Sequence, residues 1–205
     1  MGMEQEIKLR ARDGADPSLL PEDPALLPLR CSPMESIEMR TTYYDTEEHI
    51  LARAKWALRC RTENGEPVIT LKTPPDANHK RGEWELRGPG LVEQDEIQPG
   101  AFNALFAQGA PRQILDLHRC PLETLCRVDF LRRRCLLCLP EGTRVELALD
   151  KGTLYRGRRS APFCEVELEL KQGSFAHVEA LARRLSQKYG LVEEPLSKFQ
   201  QTMRL

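Results

Sequence analysis

Ionised and apolar residues alternate with a period of two along most strand-like segments of this 205-residue chain. Because successive side chains of a β-strand point to opposite faces, each such segment has one charged face and one apolar face. Near the C-terminus, for example, Glu165, Glu167 and Glu169 alternate with Val166 and Leu168. Over the whole chain the pattern predicts a single domain, residues 1–205, with about eight strands and a few helices.

The ordinary explanation of such strands is an antiparallel sheet with one dry face and one solvated face. Two features of this chain argue against it. Nearly every polar position on these strands is ionised, and the two signs of charge lie on different strands. The basic segments are Arg59–Lys72 and Arg132–Arg134, and the acidic segments are Glu146–Asp150 and Glu165–Glu169. If such a sheet closes, the charged faces line a lumen and helices must cover the apolar faces outside.

Turn and cap residues mark the predicted ends of strands and helices. Asn64-Gly65 predicts a hairpin turn, and Lys151-Gly152 predicts a second turn between two strands. An apolar stripe predicts a helix through Tyr189, with Ser174 as its N-cap and Gly190 just after its end. A proline-rich stretch, residues 17–33, predicts a short helix or a packed loop.

Composition and charge disfavour several classes of function. There are 30 Lys and Arg residues against 31 Asp and Glu residues. The chain therefore lacks the basic excess typical of a protein that binds nucleic acid without sequence specificity. No apolar run approaches the roughly 18 residues that a membrane-spanning helix needs. The first ten residues lack the apolar core of a signal peptide, and we therefore expect a cytoplasmic protein.

The cysteine count supports the same expectation. Seven cysteines are an odd number, which favours reduced thiols over a disulfide framework. A zinc site is the less favoured alternative, because odd spacing within a strand sends its CxxC pair to opposite faces. The cysteines of that alternative site are Cys120, Cys126, Cys135 and Cys138.

The clustered carboxylates indicate a binding site for cations. Residues two apart on one strand face are roughly 6.5–7 Å apart, so Glu165, Glu167 and Glu169 repel one another unless they are solvated or bridged by cations. Hard oxygen ligands suit Mg²⁺ or Mn²⁺, which proteins commonly bind together with substrate phosphates. Arginines and lysines facing such a cluster could hold the remaining phosphate oxygens.

Eight charged elements in register give the chain a family resemblance. They are Glu4-x-Glu6-x-Lys8, Tyr43-Tyr44-Asp45-Thr46, Trp56-x-Leu58-Arg59-x-Arg61 with Leu71-Lys72, Glu83-x-Glu85, Arg132-x-Arg134, Glu146-x-x-x-Asp150, Glu165-x-Glu167-x-Glu169 and Ser197-Lys198-Phe199. In this order they resemble the CYTH, or triphosphate tunnel metalloenzyme, superfamily, and most of all its bacterial inorganic triphosphatases. The resemblance implies an α+β fold with an eight-stranded antiparallel closed β-barrel, a tunnel with a charged lumen.

The same resemblance implies roles for individual residues. The implied metal ligands, for Mg²⁺ or Mn²⁺, are Glu4, Glu6, Asp150, Glu165 and Glu167. The implied phosphate ligands are Lys8, Arg59, Arg61, Lys72, Arg132, Arg134 and Lys198. Lys8 would also be catalytic, and Glu6 or Glu169 would orient the attacking water.

The implied reaction is metal-dependent hydrolysis of inorganic triphosphate, a small-molecule substrate, to pyrophosphate and phosphate. Thiamine triphosphate and nucleoside triphosphates, including adenylate cyclisation, remain open as alternatives. A non-catalytic polyphosphate-binding module also remains open, although the full acidic set favours catalysis because binding an anion needs only the basic residues. An ordinary β domain with surface charges is the remaining alternative.

Overall fold

Alternating residues form long strands in the computed structural model, which describes residues 5–12, 15–75, 81–93 and 96–205. Its strands are β1 (Gln5–Ala11), β2 (Glu35–Thr46), β3 (Ala57–Glu63), β4 (Glu66–Pro75), β5 (Arg81–Arg87), β6 (Val92–Glu93), β7 (Glu96–Ile97), β8 (Leu122–Cys138), β9 (Arg144–Arg156), β10 (Arg159–Gln172) and β11 (Leu191–Glu193). Its α-helices are α1 (Ile50–Ala54), α2 (Pro99–Ala107), α3 (Phe175–Tyr189) and α4 (Lys198–Thr202). Short 3-10 helices cover Pro17–Glu22, Leu27–Leu29, Arg112–Arg119 and Pro140–Gly142.

Within the described residues, nine strands form one mostly antiparallel sheet in the order β11-β1-β10-β9-β8-β2-β3-β4-β5. Strands β2 to β5 form a meander, and β1 runs antiparallel to both β10 and β11. Strands β6 and β7 pair separately. At the β3–β4 turn, Asn64 and Gly65 have φ angles of 50° and 89°, the left-handed conformation that such hairpin turns require.

The predicted eight-stranded closed barrel is wrong for the described part of the chain. The sheet has nine strands, and its order begins with β11 and ends with β5 instead of closing on itself. Alternation fixes the face on which a side chain lies, but closure depends on hydrogen bonds between the two edge strands. Because β11 has only three residues, this edge offers few backbone groups for further pairing.

The predicted turn at Lys151-Gly152 is also wrong. Strand β9 continues through both residues to Arg156, and Leu154 stays buried. The chain turns at Gly157, which has a φ angle of 57°. A glycine that follows a charged residue is therefore not sufficient to interrupt a strand whose apolar alternation continues.

The chain divides into two compact units, each with its own apolar core. The first unit contains residues Met1–Ile37, Phe130–Thr153 and Ala161–Gln201. Its core joins Val166 and Leu168 of β10 to Leu181 and Leu185 of α3. Helix α3 thus buries the predicted apolar stripe, and Gly190 follows it in the left-handed conformation. Ser174 precedes the helix, but its side chain makes no capping hydrogen bond.

The second unit contains residues Glu38–Asp129, Leu154–Ser160 and Thr202–Leu205. Its core joins Ile69 and Leu71 of β4 to Phe102 and Leu105 of α2. Asp45 orders the start of α1, because its carboxylate accepts backbone hydrogen bonds from Thr46, Leu51 and Ala52 at 2.8–2.9 Å. The prediction of one domain over residues 1–205 stays a prediction.

The proline-rich segment is part of the first core. Leu20 and Leu26 are fully buried in it, and Arg30 forms a β-bridge with Leu137 of β8. Next to this bridge Cys31 and Cys138 form a disulfide, with Cα atoms 5.9 Å apart. The expectation that all cysteines are reduced is therefore wrong for this pair, because backbone pairing brings together thiols that are 107 residues apart in sequence.

The remaining cysteines, all in the described part of the chain, are free thiols. Cys138 cannot serve as a thiolate ligand while it is in the disulfide, which removes one ligand of the alternative zinc site. None of the described helices combines the length and the apolar character needed to cross a bilayer.

Candidate active site

Three carboxylates of the first unit form a compact cluster. Asp150 is near the middle of β9, and Glu165 and Glu167 lie on the β10 face opposite Val166 and Leu168. One oxygen from each carboxylate lies within 4.8 Å of the other two. The side chains of Asp150 and Glu165 are 0% and 1% exposed, so their negative charges need partners inside the protein.

Arg132 of β8 is the first of these partners. Its guanidinium donates from Nε to Asp150 Oδ1 at 2.8 Å and from Nη2 to Asp150 Oδ2 at 2.6 Å. The same Nη2 also donates to Glu167. The fork of donors on an arginine suits this bidentate contact. Arg132, predicted as a phosphate ligand, therefore holds carboxylates in this structure.

Lys198 at the start of α4 is the second partner. Its Nζ lies 2.9 Å from Asp150 Oδ2, 2.7 Å from Glu165 Oε2 and 2.7 Å from Glu167 Oε1. One ammonium therefore bridges all three carboxylates. Glu165 Oε2 is buried and accepts no hydrogen bond from the described residues, so its contact with Lys198 is an ion pair.

The charges of this cluster stabilise one another. Burial on its own would raise the pKa of Glu167, but Lys198 and Arg132 outweigh it and lower this pKa to about 2. Burial would likewise lower the pKa of Lys198, yet Glu167, Asp150 and Glu165 raise it above its usual value. Around neutral pH Glu167 and Lys198 are therefore ionised.

The acidic cluster fits a divalent metal ion. Its donor atoms are carboxylate oxygens, the ligands that Mg²⁺ and Mn²⁺ prefer. Opposite ligands of a Mg²⁺ ion are about 4.2 Å apart at the usual metal–oxygen distance, which is close to the observed spread. Asp150, Glu165 and Glu167 could therefore hold one ion, and all three are among the predicted ligands.

The other predicted residues of the N-terminal strand differ in position. Lys8 pairs in register with Glu167, and its Nζ donates to the Leu196 carbonyl at 3.0 Å. Glu6 is exposed on β1 opposite Glu169, which forms an ion pair with Lys171 at 2.6 Å. Glu4 lies outside the described residues. Lys8 is thus adjacent to the cluster along the β1–β10 ladder, and Glu6 and Glu169 lie two residues further along it.

Arg134 of β8 is part of a more exposed ion-pair network in the first unit. Its Nε donates to Glu35 Oε2 at 2.9 Å, and its Nη1 lies 3.7 Å from Glu146 Oε2. The side chain of Arg134 is 37% exposed, so these contacts are partly screened by solvent.

The remaining predicted phosphate ligands belong to the second unit. Arg61 Nη2 lies 2.5 Å from Glu63 Oε1, and Lys72 Nζ lies 3.0 Å from Glu83 Oε1. The Nε of Arg59 is buried and has no hydrogen-bond partner among the described residues. In this unit, therefore, Arg61 and Lys72 are paired with glutamates of the same meander.

Gln201 and two phenylalanines were not anticipated from the sequence. Gln201 donates from Nε2 to Glu165 and, at 3.2 Å, to the Leu196 carbonyl. The rings of Phe130 and Phe163 lie 5.4 and 5.6 Å from Lys198 Nζ. Gln201 is one helical turn after Lys198, so the two side chains lie on the same face of the helix. This spacing is the sequence feature from which Gln201 could have been predicted.

Sequence comparison identifies relatives over most of the chain. Residues 2–203 match the CYTH domain. The inorganic triphosphatase of Haemophilus influenzae is 30% identical over 154 residues, which are 72% of this chain and 41% of that protein. The chain therefore spans less than half the length of this curated relative.

Solved structures show a similar fold. A proposed adenylyl cyclase from Hippeastrum, which shows a dominant triphosphatase activity, has a TM-score of 0.63 and 24% identity. The alignment covers 98% of this chain and 95% of that one. A proposed adenylate cyclase from Bacillus halodurans has a TM-score of 0.58 and 18% identity, with coverage of 95% and 94%. At these identities the comparison supports the fold alone.

Proposed function

We propose that this chain, which belongs to the CYTH-domain family, is a metal-dependent hydrolase. Its proposed reaction is the cleavage of inorganic triphosphate to pyrophosphate and phosphate. The observation that carries the proposal is the buried cluster of Asp150, Glu165 and Glu167. Burying three carboxylates together is unfavourable unless strong positive charge compensates them. A site that binds anions needs only basic residues, so the presence of these carboxylates favours metal-assisted chemistry.

The Haemophilus influenzae triphosphatase supports the choice of substrate. A triphosphate carries several negative charges over a short chain of phosphates, and it needs many cations for its binding. The first unit offers Lys8, Arg132, Arg134 and Lys198. We assign these four residues to phosphate binding, where they would offset charge on the terminal and leaving phosphates. The role of Arg59, Arg61 and Lys72 of the second unit as phosphate ligands stays a prediction from the family resemblance.

The carboxylates serve metal binding and water orientation in this proposal, and Glu6 is a candidate for both roles. Asp150, Glu165 and Glu167, with Glu4 and Glu6, would hold Mg²⁺ or Mn²⁺. The bound ion would supply positive charge beside the phosphate oxygens. Glu6 or Glu169 would accept a hydrogen bond from the attacking water and hold it in line with the scissile bond, and Lys8 would steady the phosphate under attack.

A phosphate-release assay tests this proposal. Tripolyphosphate, ATP, thiamine triphosphate and pyrophosphate are each supplied with Mg²⁺, Mn²⁺ or a chelator. We expect tripolyphosphate to be hydrolysed fastest, pyrophosphate to be a poor substrate and the chelator to stop turnover. Preference for thiamine triphosphate or ATP, or formation of cyclic AMP, would overturn the substrate assignment.

A matched pair of variants tests the site. Glu167→Gln removes one negative charge from the cluster, and Glu179→Gln makes the same change on the exposed surface of α3. We expect Glu167→Gln to lower kcat at least about 100-fold with unchanged circular dichroism, and Glu179→Gln to retain wild-type activity. Equal rates for both variants would contradict the site. Calorimetric binding of tripolyphosphate without any phosphate release would instead indicate a non-catalytic binding module.

A further inference from the structure

The ammonium of Lys198 lies at the centre of the candidate metal site. Its three contacts, at 2.7–2.9 Å, go to Asp150, Glu165 and Glu167, the same three residues whose carboxylates could hold a metal ion. A lysine ammonium has three N–H groups and behaves as a compact point charge. Lys198 therefore compensates the cluster in the way that a small cation would.

The charge balance of the cluster does not favour the Lys198 ammonium and a divalent metal ion being present together. Among the groups in direct contact, three carboxylates face two cationic side chains, Arg132 and Lys198, which leaves one net negative charge. Lys8, which pairs in register with Glu167, adds a further positive charge nearby. A divalent ion added beside both side chains would make the cluster positive and would repel the nearby ammonium. If Lys198 moves away while Arg132 stays, the cluster with the ion becomes neutral. Electrostatics therefore favours an exchange over a simple addition.

The surroundings of Lys198 make this exchange feasible. The residue belongs to a helix of five residues close to the C-terminus, whereas Arg132 is held in the middle of the 17-residue strand β8. The rings of Phe130 and Phe163 already lie within cation–π distance of the ammonium. They would keep a favourable contact with the ammonium if it moved a short distance out of the cluster.

We propose that Lys198 is the internal counter-ion of the acidic cluster and gives up this position when a divalent cation binds. The released ammonium is then available for a phosphate oxygen of the substrate. Metal loading and phosphate recognition are thereby coupled through one side chain. The inference rests on the proposed function for the identity of the cation.

Binding of Mn²⁺ to the full chain tests the inference without any measurement of activity. The variants are Lys198→Met, which keeps most of the side-chain length, and Lys188→Met, which removes the same charge from the ion pair with Asp23. Free Mn²⁺ is followed by its electron paramagnetic resonance signal. We expect Lys198→Met to bind Mn²⁺ at least about tenfold more tightly than wild type, because it has lost an internal competitor. Lys188→Met should bind within about twofold of wild type.

A second measurement uses the wild-type chain, so it does not depend on folding of the variant. Reductive methylation of lysines, read by mass spectrometry, reports how accessible each ammonium is. We expect added Mn²⁺ to increase the methylation of Lys198 several-fold and to leave that of Lys188 unchanged. Protection of Lys198 that persists at saturating Mn²⁺ would overturn the exchange.

The outcomes separate this inference from the proposed function. If neither wild type nor Lys198→Met binds Mn²⁺, the metal site fails, and the proposed function fails with it. If wild type binds Mn²⁺ and hydrolyses tripolyphosphate, but Lys198→Met binds Mn²⁺ no more tightly, only the counter-ion role is wrong.

Discussion

The buried acidic cluster of the first unit and the meander of the second unit lie on the same kind of alternating strand, but their charges are compensated in different ways. In the first unit Asp150 and Glu165 are fully buried, and their cations come from β8 and α4. In the second unit the glutamates Glu63, Glu83 and Glu85 remain 19–32% exposed. Their cations come from neighbouring positions of the same antiparallel meander.

This difference shows that alternation alone does not determine how strong an ion pair is. A charged strand face becomes a low-dielectric site only where another element supplies groups that contact it, as Lys198 and Gln201 of α4 do in the first unit. Where the partners stay on one partly exposed sheet, water screens their charges in part and each pair contributes less. Matched substitutions in the two units test this comparison.

The largest expected effect is on stability. Arg132→Met leaves Asp150 buried without its bidentate partner, and it should lower the free energy of unfolding by about 3–5 kcal/mol. Arg87→Met removes a guanidinium that is 48% exposed and paired with Glu63 and Glu85, and it should cost less than about 1 kcal/mol. Urea denaturation of both variants provides the measurement. Similar losses in the two variants would remove the distinction between the units.

A smaller effect is expected from pH. The pKa of Glu167 is about 2 in the folded protein and 4.5 for an ordinary glutamate, so between these pH values the unfolded chain binds a proton that the folded chain does not. The stabilisation is therefore complete above pH 4.5 and is lost as the pH falls toward 2. Between about pH 5 and about pH 3, roughly 2 kcal/mol of the unfolding free energy should disappear.

Glu167→Gln should not show this loss of unfolding free energy between about pH 5 and about pH 3. Glu83→Gln is the control from the second unit, because the ion pair of Glu83 with Lys72 is partly exposed to solvent. It should keep the pH dependence of wild type. Urea titrations at both pH values supply the comparison, and a wild-type slope in Glu167→Gln would mean that another carboxylate is responsible.

The smallest effect concerns the helix starts. Asp45 in the second unit accepts three backbone hydrogen bonds before and within α1, whereas Ser174 in the first unit makes no side-chain capping bond to α3. Asp45→Ala should lower the free energy of unfolding by about 1 kcal/mol, and Ser174→Ala by less than about 0.5 kcal/mol. Thermal unfolding of the two variants distinguishes them. A larger loss in Ser174→Ala would show that sequence position alone identifies the cap.

Local patterns predicted much of the fold. The parity of Val166 and Leu168, the Asn64-Gly65 turn and Gly190 after α3 all depend on interactions within a few residues, and the structure confirms each of them. Closure of the sheet does not follow from such patterns, because it depends on whether distant edge strands meet. The alternation was therefore right about faces and wrong about the barrel.

The candidate site shows the same division. The family resemblance selected Asp150, Glu165, Glu167 and Lys198, and the structure brings these four side chains together. The assignment of Arg132 to phosphate did not anticipate its contact with Asp150, since the two are 18 residues apart and meet only through the arrangement of β8 and β9. The Cys31–Cys138 disulfide was missed for a similar reason, because the proximity of the two residues depends on the packing of the proline-rich segment against β8.

The Cys31–Cys138 disulfide affects how the chain unfolds. Both cysteines belong to the first unit, yet the stretch between them contains residues 38–129, which make up most of the second unit. In the oxidised chain this stretch is a covalent loop anchored at both ends, so its unfolded form explores fewer conformations than a linear chain would. The crosslink therefore favours refolding of a unit to which neither sulfur atom belongs.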